Sequence, residues 1–196
     1  MPKPRVVILA GPNGAGKTTV AKYLLPEKFG ITEFVNADTI AAGLSAYAPE
    51  TVAFEAGRIM LTRIDALSSS GASFAFETTL SSRTLFRRLQ RARAAGYEVV
   101  LFYVALPSVQ LAQRRVAKRV KEGGHAIPLE VIARRFYRSL ANLLRLYRGI
   151  ADAWFVYDNS HSSAPELIAL GFEEVETILE PDKWQRLKKL AVRANN

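Results

Sequence analysis

The nine residues Gly11-Pro12-Asn13-Gly14-Ala15-Gly16-Lys17-Thr18-Thr19 restrict this chain more than any other segment. They satisfy the pattern G-x-x-x-x-G-K-[ST], and their flanks fit it too. Before them, Arg5-Val6-Val7-Ile8-Leu9-Ala10 is a short apolar run of the kind a buried parallel strand needs. After them, Val20 to Leu25 continues as a helix closed by Pro26. A glycine-rich turn between strand and helix lets the backbone curl round an anion with its N–H groups pointing inward. The helix N-terminus adds a partial positive charge at the same place. Lys17 can reach the β- and γ-phosphates of ATP, and the Thr18 hydroxyl can sit on Mg²⁺. An ordinary strand–helix turn would need neither side chain. Gly11 to Thr19 are therefore the expected ATP-binding residues, with Thr18 as the direct metal ligand.

The rest of the chain alternates strands and helices. Glu33 to Asn36 reads as a second short strand. Glu50 to about Ser68 reads as a helix, with Phe54, Ile59, Ile64 and Leu67 among its apolar positions. Ser73 to Phe76 is a third strand, followed by an arginine-rich helix from Ser82 to Ala95 that Gly96 ends. Tyr97 to Ala105 is a long apolar strand. Helices over Ser108 to Lys121 and Pro128 to Arg148 follow, separated by Gly123-Gly124. Ala153 to Tyr157 is a fifth strand. Phe172 to Leu179 fits a sixth strand or an acidic helix, and a last helix runs near Asp182 to Val192. Such alternation predicts a mostly parallel sheet of five or six strands, covered by helices on both faces. The 196 residues read as a single domain without linker, repeat or low-complexity segment. Cysteine is absent, which excludes disulfides and thiolate metal sites. The N-terminal apolar run stops at Gly11, too short for a signal peptide, and no segment is long enough for a bilayer, so a cytoplasmic location is expected.

The net charge of +9 is unevenly spread. From Ser81 to Arg148 there are fifteen Lys or Arg against Glu98, Glu122 and Glu130, while the remainder is slightly acidic. Three readings compete for the excess: an arginine-bearing lid over phosphates, a nucleic-acid footprint, and solvated helix faces. On a helical wheel, Arg119 borders the apolar stripe of Val109, Ala112, Val116 and Val120, as does Arg115 one turn away. In the following helix Arg135 edges the buried face beside Asn142, whereas Arg134, Arg138 and Arg145 gather on the far side. Arg119 and Arg135 are thus the candidates to meet a transferring phosphoryl group. Gly123 to Pro128 looks like a hinge, with His125 as a candidate phosphate contact, and the lid spans about residues 108–148. Only Phe86 interrupts the basic stretch from Arg83 to Arg93, so no stacking platform for bases is evident and nucleic acid is disfavoured as a partner.

In parallel α/β sheets, ligands bind beyond the carboxyl ends of the strands. The second strand delivers Asn36-Ala37-Asp38 there. Asp38 is placed either to take the proton of an attacking hydroxyl or merely to cap the next helix. The third strand delivers Glu77-Thr78-Thr79. Glu77 could orient a sugar hydroxyl, hold a water on Mg²⁺, or cap the helix near Ser82.

Taken together, these segments resemble the zeta-toxin family of P-loop kinases in its short bacterial form. The resemblance runs from the P-loop through Phe34-Val35-Asn36-Ala37-Asp38 and Phe76-Glu77-Thr78-Thr79-Leu80. It continues through Arg119 to Pro128 and Arg134-Arg135-Phe136 to Tyr157-Asp158-Asn159-Ser160. The chain is shorter than the antitoxin-paired toxins of that family. The resemblance implies a three-layer α/β/α kinase fold and ATP-dependent phosphorylation of a UDP-linked amino sugar, typically UDP-N-acetylglucosamine. It implies Asp38 as general base and Lys17, Arg119 and Arg135 on the phosphates. It further implies Asn36, Glu77, Thr78 and Thr79 around the sugar, Asn159 near the adenine, and an antitoxin as a candidate partner. A polynucleotide or nucleoside kinase would use the same base, P-loop and lid, and a nucleotide-dependent nucleic-acid-binding switch is the reading from outside enzymology.

Overall fold

The computed structural model describes residues 3–24, 29–161 and 164–195. Its centre is one seven-stranded sheet in the order β2-β3-β1-β4-β5-β6-β7. The strands are β1 Arg5–Ala10, β2 Phe34–Val35, β3 Phe74–Thr78, β4 Glu98–Ala105, β5 Ala153–Asp158, β6 Glu166–Phe172 and β7 Val175–Ile178. The first five are parallel, and the last two pair antiparallel at one edge. The helices are α1 Lys17–Leu24, α2 Ala37–Leu44, α3 Ala53–Ser69, α4 Thr84–Ala94, α5 Val109–Lys121, α6 Leu129–Asn142 and α7 Pro181–Val192. Pro26, the expected stop for α1, lies outside the described residues. No helix among them is long and apolar enough to cross a membrane.

The two-residue period of β1 divides the core. Val6 and Ile8 join a large cluster with Met60 and Ile64 of α3, Leu85 and Leu89 of α4, Val116 of α5, Phe136 of α6 and Trp184 of α7. Val7 and Leu9 face the other way, against Ala21 of α1 and Ile31. Helices therefore cover both faces, giving the expected three layers. The mainly parallel sheet is as expected, but the strand count is higher. The segment from Phe172 to Leu179 is neither one strand nor a helix: Phe172 ends β6, and the chain turns at Glu173 (φ +52°) into β7. β6 carries an apolar run over 167–170 and sits between β5 and β7, and the expected elements do not include it.

Two further differences follow from periodicity. On α3 the buried stripe is Ala56, Met60, Ile64 and Leu67, whereas Phe54 and Ile59 fall off it and are 82% and 39% exposed. The turn before α3, Pro49–Val52, is 3₁₀ rather than α. Likewise α6 stops at Asn142 and continues as a π-helical turn, Leu143–Tyr147. The order of strands matters for function. After β1 the chain places β2 at one edge and returns with β3 between the two, then crosses to build β4 and β5 on the other side. The crevice at that switch lies outside the carboxyl end of β1, where the glycine-rich loop begins.

Candidate active site

Lys17 starts α1 and is 7% exposed. Its ammonium donates to the Pro12 carbonyl at 3.1 Å and lies 3.5 Å from Glu77 Oε1. Burial lowers its pKa, opposed by the charges of Glu77 and Asp38 and reinforced by Arg119. The other oxygen of Glu77 accepts from the Thr18 hydroxyl at 2.7 Å and from Asn36 Nδ2 at 2.9 Å. Glu77 therefore ties together the ends of three neighbouring strands. It does not cap the following helix: at the start of α4, the Thr84 N–H is taken by Ser82 Oγ at 3.1 Å.

Asn36 caps α2, its Oδ1 accepting from the N–H groups of Asp38 and Thr39 at 2.8 and 3.4 Å. One correction follows. Asp38 is not the helix cap, because Asn36 fills that place. The Asn36 side chain, bonded to Glu77 and the helix end, also borders the cavity beside the glycine-rich loop. Asp38 stands exposed in the first turn of α2, with a charge that influences both Lys17 and Arg135.

The loop is pressed against α5. Gly14 has φ +76°, and a methyl group there would lie 2.9 Å from the Ala112 carbonyl oxygen. Only glycine permits both the backbone angle and the approach. Asn159, expected near the adenine, donates from Nδ2 to the Ala15 carbonyl at 2.8 Å and so holds the loop itself. Arg115 reaches from α5 toward the carbonyls of Ser160 and His161 at 3.4 and 3.5 Å. One turn further, Nε and one terminal nitrogen of Arg119 are buried without a hydrogen-bond partner, as is Asn13 Oδ1. A buried unpartnered donor costs about 1–3 kcal/mol, more when charged, and an anion in the loop would relieve the arginine. Thr19 is exposed and makes no side-chain hydrogen bond among the described residues.

Beside the loop opens a cavity of about 520 Å³, with Lys17, Asp38, Glu77, Thr79, His125 and Arg135 in its walls. Thr78 Oγ1 accepts from the Leu80 N–H at 3.0 Å, and Thr79 shares a 2.9 Å hydrogen bond with Ser81. Leu80 has φ +58°, a conformation uncommon outside glycine, and Asn142 of α6 binds its carbonyl at 2.7 Å. Nothing in the sequence announces that turn. Arg135 is half-buried. Burial lowers its pKa, Asp38 opposes this, and Arg134 adds to it. The wheel reading needs amendment at Arg134, which is exposed but lines the same cavity. Arg138 and Arg145 open instead into the neighbouring hollow with Arg83.

The donor set fits Mg²⁺. Thr18 Oγ1 and Glu77 Oε2 are hard oxygens 2.7 Å apart at the mouth of the loop. No cluster of three or more His, Cys, Asp or Glu able to cage a metal occurs among the described residues. A cation held mainly by phosphate and water oxygens, with one or two protein oxygens, is what Mg²⁺ prefers.

Residues 1–164 match the family model described as Zeta toxin. A protein of Haemophilus influenzae described as uncharacterized is 26% identical over 132 residues, covering 67% of this chain and 92% of its own. Among solved structures, the AvrRxo1-ORF1:AvrRxo1-ORF2 complex with sulphate ions superposes with a TM-score of 0.77 at 17% identity. The same complex with ATP gives 0.76 at 19% identity. Each covers 94% of this chain, which spans 63% of that chain's length. A structure from the PezAT chromosomal toxin-antitoxin system of Streptococcus pneumoniae gives 0.65 at 19% identity, covering 100% of this chain and 89% of that one. At these identities the structural likeness concerns the fold.

Proposed function

The chain belongs to the zeta-toxin family of P-loop kinases, and from that premise we propose that it transfers the γ-phosphoryl group of ATP to a hydroxyl of a UDP-linked amino sugar. UDP-N-acetylglucosamine is the first acceptor to test. One observation carries the reading: Asp38, released from capping by Asn36, shares a cavity with the P-loop lysine.

In this mechanism the loop N–H groups and Lys17 hold the β- and γ-phosphates. Arg119, with its unpartnered donors, and Arg135 meet the charge that spreads over the transferring group. Asp38 takes the proton as the acceptor oxygen bonds to phosphorus and the β–γ bridge breaks, leaving ADP. Glu77 orients Lys17 and Thr18 while Thr79 and Arg134 line the acceptor's space. Thr18 and Glu77 would hold Mg²⁺, which neutralises phosphate charge when bound. The whole chain acts as one catalytic unit in the cytoplasm, with the segment 108–148 as its arginine-bearing wall. The toxin-antitoxin setting of the pneumococcal relative supports an antitoxin as a protein partner.

The test follows labelled γ-phosphate onto a panel of UDP-sugars, nucleosides and 5′-hydroxyl RNA. Label on an amino-sugar nucleotide is the expected result. Label only on a nucleoside or an RNA end would replace the acceptor and keep the kinase.

A further inference from the structure

The Gly123-Gly124 pair has the composition of a hinge, but its geometry is that of a clamp. Helix α5 ends in a double reversal. The Gly123 N–H donates to the Val120 carbonyl at 3.1 Å, and the Gly124 N–H donates to the Arg119 carbonyl at 2.9 Å. Gly123 has φ +92°, which accounts for glycine at that position. Gly124 has no such angle, so its backbone alone would accept another residue.

What Gly124 touches is Arg119. A methyl group at Gly124 would lie 2.7 Å from Arg119 Cγ, 3.0 Å from its carbonyl oxygen and 3.3 Å from its Cδ. The clash is with the root of the side chain, so relieving it would swing the guanidinium. At this kind of helix end the residue at the Gly124 position usually packs a side chain against the one at the Arg119 position. Here that space is left to the arginine stem, and the guanidinium beyond it carries two buried nitrogens without partners. The neighbourhood offers few other degrees of freedom. Gly14 seats α5 on the phosphate loop, and Arg115 ties the helix to the chain beyond β5.

We propose that Gly124 is a positioning residue: by having no side chain, it keeps Arg119 in the one rotamer that aims into the phosphate site before substrates arrive. The segment is thus a fixed support for the arginine rather than the pivot of a lid. This rests on the reading of Arg119 as a phosphoryl-contacting group.

A double-mutant cycle tests it, with single-turnover rate, ATP affinity by calorimetry and melting temperature measured for each protein. Gly124→Ala is expected to lower the rate by about 10²-fold, the scale of a small misplacement of a reacting group. ATP affinity should stay within a few-fold and the melting temperature should hold. In the Arg119→Ala background the same change should cost less than twofold. Gly57→Ala, on a helical glycine with open space around it, serves as the control and should leave the rate unchanged. Equal losses in both backgrounds, or no loss from Gly124→Ala while Arg119→Ala is impaired, would overturn the positioning role. A fully active Arg119→Ala would instead sink the reading of Arg119 itself. Should Gly124→Ala melt early, Gly124→Ser examined below its melting temperature decides by the same cycle.

Discussion

On the phosphate side of the site, Lys17, Thr18, Arg115 and Asn159 each end in a hydrogen bond to a named partner, and Gly14 is wedged against α5. On the acceptor side, Asp38 and Arg134 are exposed, and they look into an open cavity without a hydrogen bond from their side chains among the described residues. The first wall is largely tied together by its own contacts, with Asn13 and Arg119 holding the unpartnered atoms. The second adds groups such as Asp38 and Arg134, without side-chain hydrogen bonds among the described residues, around the space proposed for the acceptor. Phosphoryl transfer gains most from fixed charges and positions, whereas acceptor choice depends on which hydroxyls and anions satisfy groups left open. A family can keep the first wall and vary the second.

The largest test of that contrast is Lys17→Ala. It removes the buried cation from the phosphate wall, and turnover should vanish with markedly weaker ATP binding. A folded variant with parental turnover would mean that the wall does not hold phosphate. Next, Asp38→Asn preserves size but cannot accept a proton. Phosphoryl transfer should fall by roughly 10²-fold or more while ATP affinity stays within a few-fold. Near-parental transfer would leave Asp38 without a role in the chemistry. Asn159→Ala should loosen the Ala15 carbonyl and weaken ATP binding by several-fold, in line with one lost hydrogen bond of about 1 kcal/mol, with the acceptor KM unmoved. The smallest and most discriminating change is on the open side. Arg134→Ala should raise the acceptor KM a few-fold with ATP affinity intact, and Arg138→Ala, in the next hollow, should change neither. If Arg134 and Arg138 behave alike, the boundary drawn between the two hollows is wrong.

Much of the phosphate wall was legible because its chemistry is local. The P-loop pattern specifies its own turn, and the wheel of α5 separates Arg119 from the solvated cations. The open wall was harder to read because it is assembled from distant segments. Whether Asp38 caps a helix depends on the Asn36 side chain, and Glu77 acquires its role only when three strand ends meet. Arg134 lies outside the buried stripe of α6, yet it borders the cavity because α2 and the turn at Leu80 stand opposite. The turn at Leu80, with its positive φ, is bound at its carbonyl by Asn142, 62 positions later. The hairpin of β6 and β7 is a different case: β7 is a short exposed edge strand with no clean apolar run, whereas the apolar run 167–170 of β6 is a strand signal that the expected elements lack.

The carboxylate of Glu77 has a thermodynamic consequence. It pairs with Lys17 and accepts from Thr18, so the loop's polar groups are held by contacts within the chain itself. Nucleotide then exchanges one set of polar contacts for another, with little chain to freeze. Calorimetry of ATP binding should accordingly show a small heat-capacity change and a modest entropic penalty, unlike a loop that folds around its ligand.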